Sequence, residues 1–128
     1  MDRELFTVVE ATKGGYAPVY DYGQWRIAMT NDDPTIHREN LKTFGKHLET
    51  DEAFILLEGE AYLLLGDGDE EIGNISRHDL EKGKVFVVKK GTWHINVTNG
   101  PARILIVENR DTNATNTVKR PIPPGMLD

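Results

Sequence analysis

Apolar positions along this chain fall into short runs separated by Gly, Asn, Asp or Pro. The densest stretch, Lys46 to Leu65, reads KHLETDEAFILLEGEAYLLL, with apolar runs over 53–57 and 60–65 flanking Glu58-Gly59. Two runs rich in aromatic and branched residues around a Gly-bearing dipeptide predict two strands buried on both faces and joined by a tight turn. Similar runs at 84–88 (KVFVV), 93–97 (WHINV) and 103–107 (RILIV) predict three more strands, with a two-residue hairpin signal at Asn99-Gly100 between the last two. Leu5–Val9 (LFTVV) and Trp25–Met29 (WRIAM) add candidate strands, and 74–80 a short edge strand. Many short strands with Gly and Asn between them, and no internal repeat, point to an all-β sandwich or barrel of the jelly-roll kind.

The remaining stretches read as connections. Tyr16, Tyr20 and Tyr22 lie in a segment broken by Pro18 and Gly23, read as a loop; with Trp25 they are either pocket-lining or packing aromatics. Asp33-Pro34 marks a turn that could also cap a short helix over 35–44, but Ile36, Leu41 and Phe44 fit helical spacing poorly and the segment stays open. The acidic loop 66–71 resembles a calcium loop only superficially, because Ile72 and His78 stand where Gly and Glu are needed, and a solvated turn is expected. From Asp111 the chain turns polar and then Pro-rich (RPIPPG), as in an extended tail that crosses a neighbouring surface or stays loose.

At 128 residues, one domain is expected. A net charge of -6, with Lys119-Arg120 as the one short basic run of the tail, argues against a nucleic-acid backbone as partner. With no cysteine, disulfides and thiolate chemistry are excluded, so any metal must be held by nitrogen and oxygen. No apolar run approaches a membrane span and the start lacks the apolar core of a signal peptide, so a cytoplasmic protein is expected. That discounts the glycosylation patterns at Asn74, Asn96 and Asn113.

His47 and Glu52 sit at the mouth of the 53–57 strand, a polar pair leading into an apolar run. Burying an unpaired charge costs on the order of 3 kcal/mol, so such a pair stays in solvent or finds a partner inside, and a metal ion would be one. The stretches KHLETDEAFILLEG and GKVFVVKKGTWHINVTN resemble the two motifs of the cupin superfamily. In the first motif His47 falls at the second His, Glu52 at the Glu and Gly59 at the closing Gly, while Gly45 stands at the first His. In the second Gly83, Gly91 and His94 match, whereas Lys89 replaces a Pro and Thr98 the closing Asn. The resemblance spans about 41–107 and implies a single-domain jelly-roll β-barrel, a double-stranded β-helix, with His47, Glu52 and His94 as metal ligands.

Two His and one carboxylate suit divalent iron, manganese, nickel or zinc and leave positions open for water or substrate. His37 and Glu49 are candidates for the ligand missing at Gly45, Glu49 because it is two residues from His47 along a strand. Asn96 and Thr98 alternate onto the face of His94 and are candidate pocket residues, as is Trp25; Trp93 points the other way, to packing or an interface. The leading expectation is a small cupin in which a metal polarises an oxygen-bearing metabolite, a sugar or an organic acid. The alternatives are a non-catalytic binding module and a structural dimer with a degenerate site. A homodimer is expected in each case, with LFTVV and RPIPPG as material for covering a partner's sheet edge.

Overall fold

A computed structural model describes residues 5–111 and 116–126. Residues 112–115 and 127–128 of the expected tail, with the Asn113 acceptor pattern, lie outside them. The strands, in chain order, are β1 (Gly15–Tyr22), β2 (Trp25–Asn31), β3 (Thr43–His47), β4 (Glu52–Glu58), β5 (Ala61–Gly66), β6 (Ile75–Asp79), β7 (Phe86–Val88), β8 (Trp93–Thr98), β9 (Arg103–Asn109) and β10 (Thr117–Pro121). They form two antiparallel five-stranded sheets, ordered β1-β2-β9-β4-β7 and β10-β3-β8-β5-β6, which face each other as a jelly roll. Among the described residues no helix is long and apolar enough to cross a membrane.

Two apolar clusters hold this arrangement. Between the sheets lie Phe54, Leu56, Leu63, Ile104 and Ile106. Outside the second sheet, Phe44, Tyr62, Leu64, Ile72, Trp93 and Val97 form another. β5 contributes to both clusters, which is why its apolar run does not alternate, whereas β4 buries Glu52, Phe54 and Leu56 on one face only.

Several connections differ from expectation. Glu58-Gly59 and Asn99-Gly100 are not hairpin turns: β4 pairs with β9 and β7, and β5 with β8 and β6, so both dipeptides are corners where the chain changes sheet. A positive φ serves a corner as well as a hairpin, and Gly59 (φ 83°) supplies it while packing against Pro101 and Ala102 of the other corner. The hairpin in this half of the molecule is β1–β2, turning at Gly23 (φ 57°), so the tyrosine segment is a strand and not a loop. Its register shifts between Pro18 and Tyr20, as expected for a proline on an edge strand with no N–H to donate.

Residues 5–9 are not a strand; Leu5, Phe6 and Val8 extend into solvent with no strand beside them. Asp33 does cap a turn, its Oδ1 accepting from Thr35 N at 3.0 Å, but the turn is 3-10 (Pro34–Ile36), a second follows at Arg38–Asn40, and β3 begins at Thr43. The 84–88 run pairs only over Phe86–Val88. The acidic side chains of the loop, Asp67, Asp69, Glu70 and Glu71, are exposed as expected of a solvated turn, while Ile72 just after it is buried in the outer cluster and the Asp69 carbonyl accepts from Lys46 Nζ (2.7 Å) and Trp93 Nε1 (2.8 Å). In the described part of the tail, β10 pairs with β3 along its whole length and Ile122 packs on the outer cluster.

Candidate functional site

The apolar filling between the sheets gives way to polar groups where β3, β4 and β8 meet. Strand parity decides which side chains arrive there: Gly45 and His47 on β3, Glu52 on β4, and His94 and Asn96 on β8 point inward, while Phe44, Lys46, Trp93 and Val97 point out. His47 Nε2 lies 2.9 Å and His94 Nε2 3.0 Å from the same oxygen, Glu52 Oε1. Ligand atoms of the three lie within 4.8 Å of one another. Glu52 and His94 are buried and His47 half-buried.

Hydrogen bonds on the far side of each ring fix which nitrogen faces the centre. The Thr92 carbonyl, 2.9 Å from His94 Nδ1, can only accept, so Nδ1 carries the hydrogen and Nε2 of the neutral ring presents a lone pair. The Thr117 hydroxyl, 3.4 Å from Asn116 Oδ1, accepts from His47 Nδ1 at 3.0 Å to the same effect. Two lone pairs therefore face a carboxylate oxygen, an arrangement that needs a proton or a cation between them. Adjacent donors around an ion at ~2.1 Å sit ~3.0 Å apart when their bonds are at right angles, which is the spacing found here. The donor set fits a divalent ion.

In the absence of an ion the cluster holds itself by charge. Burial pushes the Glu52 carboxyl up, but hydrogen bonds from His47 and His94 outweigh it and bring it down to about 2. The hydrogen bond to Glu52 raises the His47 imidazole against the opposing effect of burial.

A cavity of about 390 Å³ opens beside the three side chains, lined among others by Gly45, Asn96, Glu108, Thr117 and Lys119. Glu108 lies on β9, next to the Ala53–Val107 pair and so beside Glu52 of β4 in the same sheet, lines the cavity and accepts a hydrogen bond from the Tyr16 hydroxyl. Burial raises its carboxyl, and the charge of Glu52 adds to that.

The other sequence candidates divide. Asn96 lines the cavity. Thr98 shares its face but lies deeper, fully buried, with no partner for Oγ1 among the described residues. His37 does not join the cluster; it bridges to Thr98, with Nδ1 4.0 Å from Glu39 Oε1. Glu49 is exposed near Asn116 (3.4 Å), because the turn after β3 breaks the strand parity that would have aimed it inward. Trp25 lies on the outer face of the first sheet, stacked on Tyr22 with ring centroids 6.0 Å apart, and lines no part of the cavity. Trp93 packs in the outer cluster.

Of the aromatics weighed as pocket-lining or packing, Tyr16 lines the cavity. Sequence reasoning missed Glu108, Thr117 and Lys119. Glu108 carried a signal, since it continues the inward alternation of Ile104 and Ile106. Thr117 and Lys119 lie on a strand that the sequence reading treated as tail.

A double-sheet jelly roll with polar donors gathered inside one end is the class of molecule these elements define. Residues 42–108, more than half of the chain, match the cupin domain family, and the chain belongs to it. Similar solved structures include a cupin-2 domain protein from Shewanella frigidimarina (19% identical, TM-score 0.57, covering 78% of this chain and 85% of that one). An RmlC-like cupin with a double-stranded β-helix fold from Methanocaldococcus jannaschii is 12% identical, with TM-score 0.58, covering 83% and 92%. HppE, with Fe(II) and its substrate, is 15% identical with TM-score 0.56, covering 73% of this chain and 52% of that one. No curated protein matches the chain.

Proposed function

We propose that this cupin holds one divalent ion, iron, manganese, nickel or zinc, on His47, Glu52 and His94, and binds or acts on a small oxygen-bearing metabolite in the cavity beside it. One observation carries the reading: both imidazole lone pairs, fixed in direction by Thr92 and Thr117, meet the same Glu52 oxygen at the spacing of neighbouring ligands. The fold relative HppE, known with Fe(II) and with Co(II), supports it as an analogy. Bound there, the ion would supply Lewis acidity to an oxygen ligand. The chain's own groups would orient that ligand: Asn96 offers a donor and an acceptor, and Glu108, held by Tyr16, presents a carboxyl that keeps its proton to higher pH than usual.

Elemental analysis of protein purified without chelator should find close to one ion per chain in the wild type and a loss of most of it in His94→Ala, with the β-type far-ultraviolet spectrum retained. Equal metal content in the two proteins would sink the reading.

The second reading, a non-catalytic binding module, is favoured by Gly45 at a position where the family carries a ligand. It would be preferred if the cavity took up ligands without metal, read as a rise in Tm on adding them to chelator-treated protein. In either reading we propose a homodimer joined through the outer face of the first sheet.

A further inference from the structure

Glu52 has a second carboxylate beside it. The β4–β9 register pairs Leu56 with Ile104, Phe54 with Ile106 and Ala53 with Val107, and its next step sets Glu108 opposite Glu52, on the face that holds Phe54 and Ile106. Side chains opposite each other on antiparallel strands start about 5 Å apart, and like charges there repel. Arg26 pairs with Glu108 in register from the other side, but its guanidinium is turned to Asp21, with Nε 2.8 Å and Nη2 3.4 Å from the two carboxylate oxygens. Glu108 Oε1 accepts from the Tyr16 hydroxyl, and Oε2 has no donor among the described residues. Glu108 lines the cavity but stands outside the group of three whose ligand atoms lie within 4.8 Å of one another, so it is a neighbour of the donor set and not a member.

The charges around the cavity leave no room for an acid. Asp33, Glu52 and Glu108 set three carboxylates against one ammonium, that of Lys119. A divalent ion on the three ligands, with both imidazoles neutral, brings the total to zero. A neutral ligand keeps that balance, whereas an acid adds a negative charge next to Glu52 and Glu108, in a space where like charges repel more than in water. The ion also favours the charged form of Glu108 against the effect of burial, and so makes the carboxylate an acceptor.

A hydroxyl is the group such an acceptor suits. An alcohol oxygen that binds a metal keeps its hydrogen and becomes a stronger donor, whereas a bound carboxylate has no hydrogen to give. Three protein donors leave more than one position open on the ion, so two oxygens of one ligand can bind together. Asn96, also in the cavity wall, offers a side-chain carbonyl to a second hydroxyl.

We propose that Glu108, held by Tyr16, accepts a hydrogen bond from a hydroxyl of the ion's ligand, which makes this a site for neutral molecules with hydroxyls on adjacent carbons, polyols and sugars. This deepens the metal reading above and rests on it.

The test loads the full chain with Co(II), whose visible absorption reports its donors, and titrates wild type and Glu108→Gln with mannitol and with glycolate. Glycolate brings its own attraction to a cation, so the effect of Glu108 is read from the change between the two proteins. Glu108→Gln, which removes the charge and keeps the shape, should retain its Co(II) and bind mannitol about tenfold or more weaker, the range for losing a hydrogen bond to a charged group. It should bind glycolate at least as tightly as wild type does. Unchanged mannitol affinity, or an equal loss for both ligands, overturns the proposal, and so does loss of Co(II) from Glu108→Gln, which would make Glu108 a ligand. Wild-type protein that holds Co(II) but does not respond to mannitol overturns it while the metal reading stands. Glu108→Asp, which keeps the charge but withdraws the acceptor by one methylene, decides the matter should Glu108→Gln not fold: a ratio of mannitol to glycolate affinity equal to wild type overturns it. A chain that takes up no Co(II) overturns the metal reading itself, and this inference with it.

Discussion

Glu52 is the residue on which the site turns, because one of its oxygens faces two imidazoles in a buried setting. Its depressed carboxyl contributes stability that is present above the ordinary value of 4.5 and lost as pH falls toward about 2. The raised His47 imidazole reports the same contact from the other side: its contribution is fully present below the ordinary 6.5 and is lost as pH rises through the folded value. In chelator-treated protein this cluster should therefore stabilise most between those two values. A metal reverses the upper slope, since ligation requires neutral imidazoles and protons compete with the ion. Denaturation midpoints measured from pH 5 to 8 should fall with pH for the stripped protein, relative to a His47→Gln variant, and rise for the loaded one. Parallel curves would show that the three residues hold no ion.

At the scale of elements, the strands β4, β5, β8 and β9 were legible because each carries an apolar run that only a buried strand explains. What joins them was not. A Gly after Glu58 or Asn99 announces a positive φ but not whether the flanking strands pair, and here both dipeptides lead across to the other sheet. β1 and β10 were hidden by their own prolines and polar residues, since an edge strand needs only half its backbone paired and little apolar surface. The same blindness concealed Thr117 and Lys119, whereas His47, Glu52 and His94 stood out because they keep a known spacing around strands that the apolar pattern had already placed. The corner reading makes a differential prediction. Gly59→Ala would force a Cβ to 2.5 Å from the Pro101 carbonyl at φ 83°, and should cost on the order of 3 kcal/mol in chemical denaturation. Gly91→Ala carries the backbone strain at φ 78° with nothing near the new methyl, and should cost only ~1 kcal/mol. Equal costs would mean that the two corners do not pack against each other.

At the scale of the whole molecule, the two sheets treat their outer faces differently. That of the second sheet is covered by its own chain, through Ile72, Leu41 and Ile122. That of the first is left open: the cross-strand row Tyr20, Ile27, Val107, Ala53 and Val87 runs through all five strands without a charge, and Leu57, Trp25 and Tyr22 extend the exposed surface. Five strands ~4.8 Å apart, each contributing about five residues of ~3.4 Å, make a face on the order of 400 Å². A stable dimer needs roughly 800 Å² from each partner. The side chains of Leu5, Phe6 and Val8, 77%, 78% and 80% exposed, supply apolar surface toward the difference if they lie across the partner's sheet. A second copy, as proposed above, would account for both exposed features at once, because a twofold interface uses the same patch on each side. Light scattering at micromolar concentration should give twice the chain mass. Val87→Lys, which places a charge on the exposed face at its edge strand β7 and touches neither core cluster, should weaken the dimer with metal content unchanged, as should removal of residues 1–9. A single-chain mass for the wild type, or a dimer indifferent to both changes, would place the association elsewhere or nowhere.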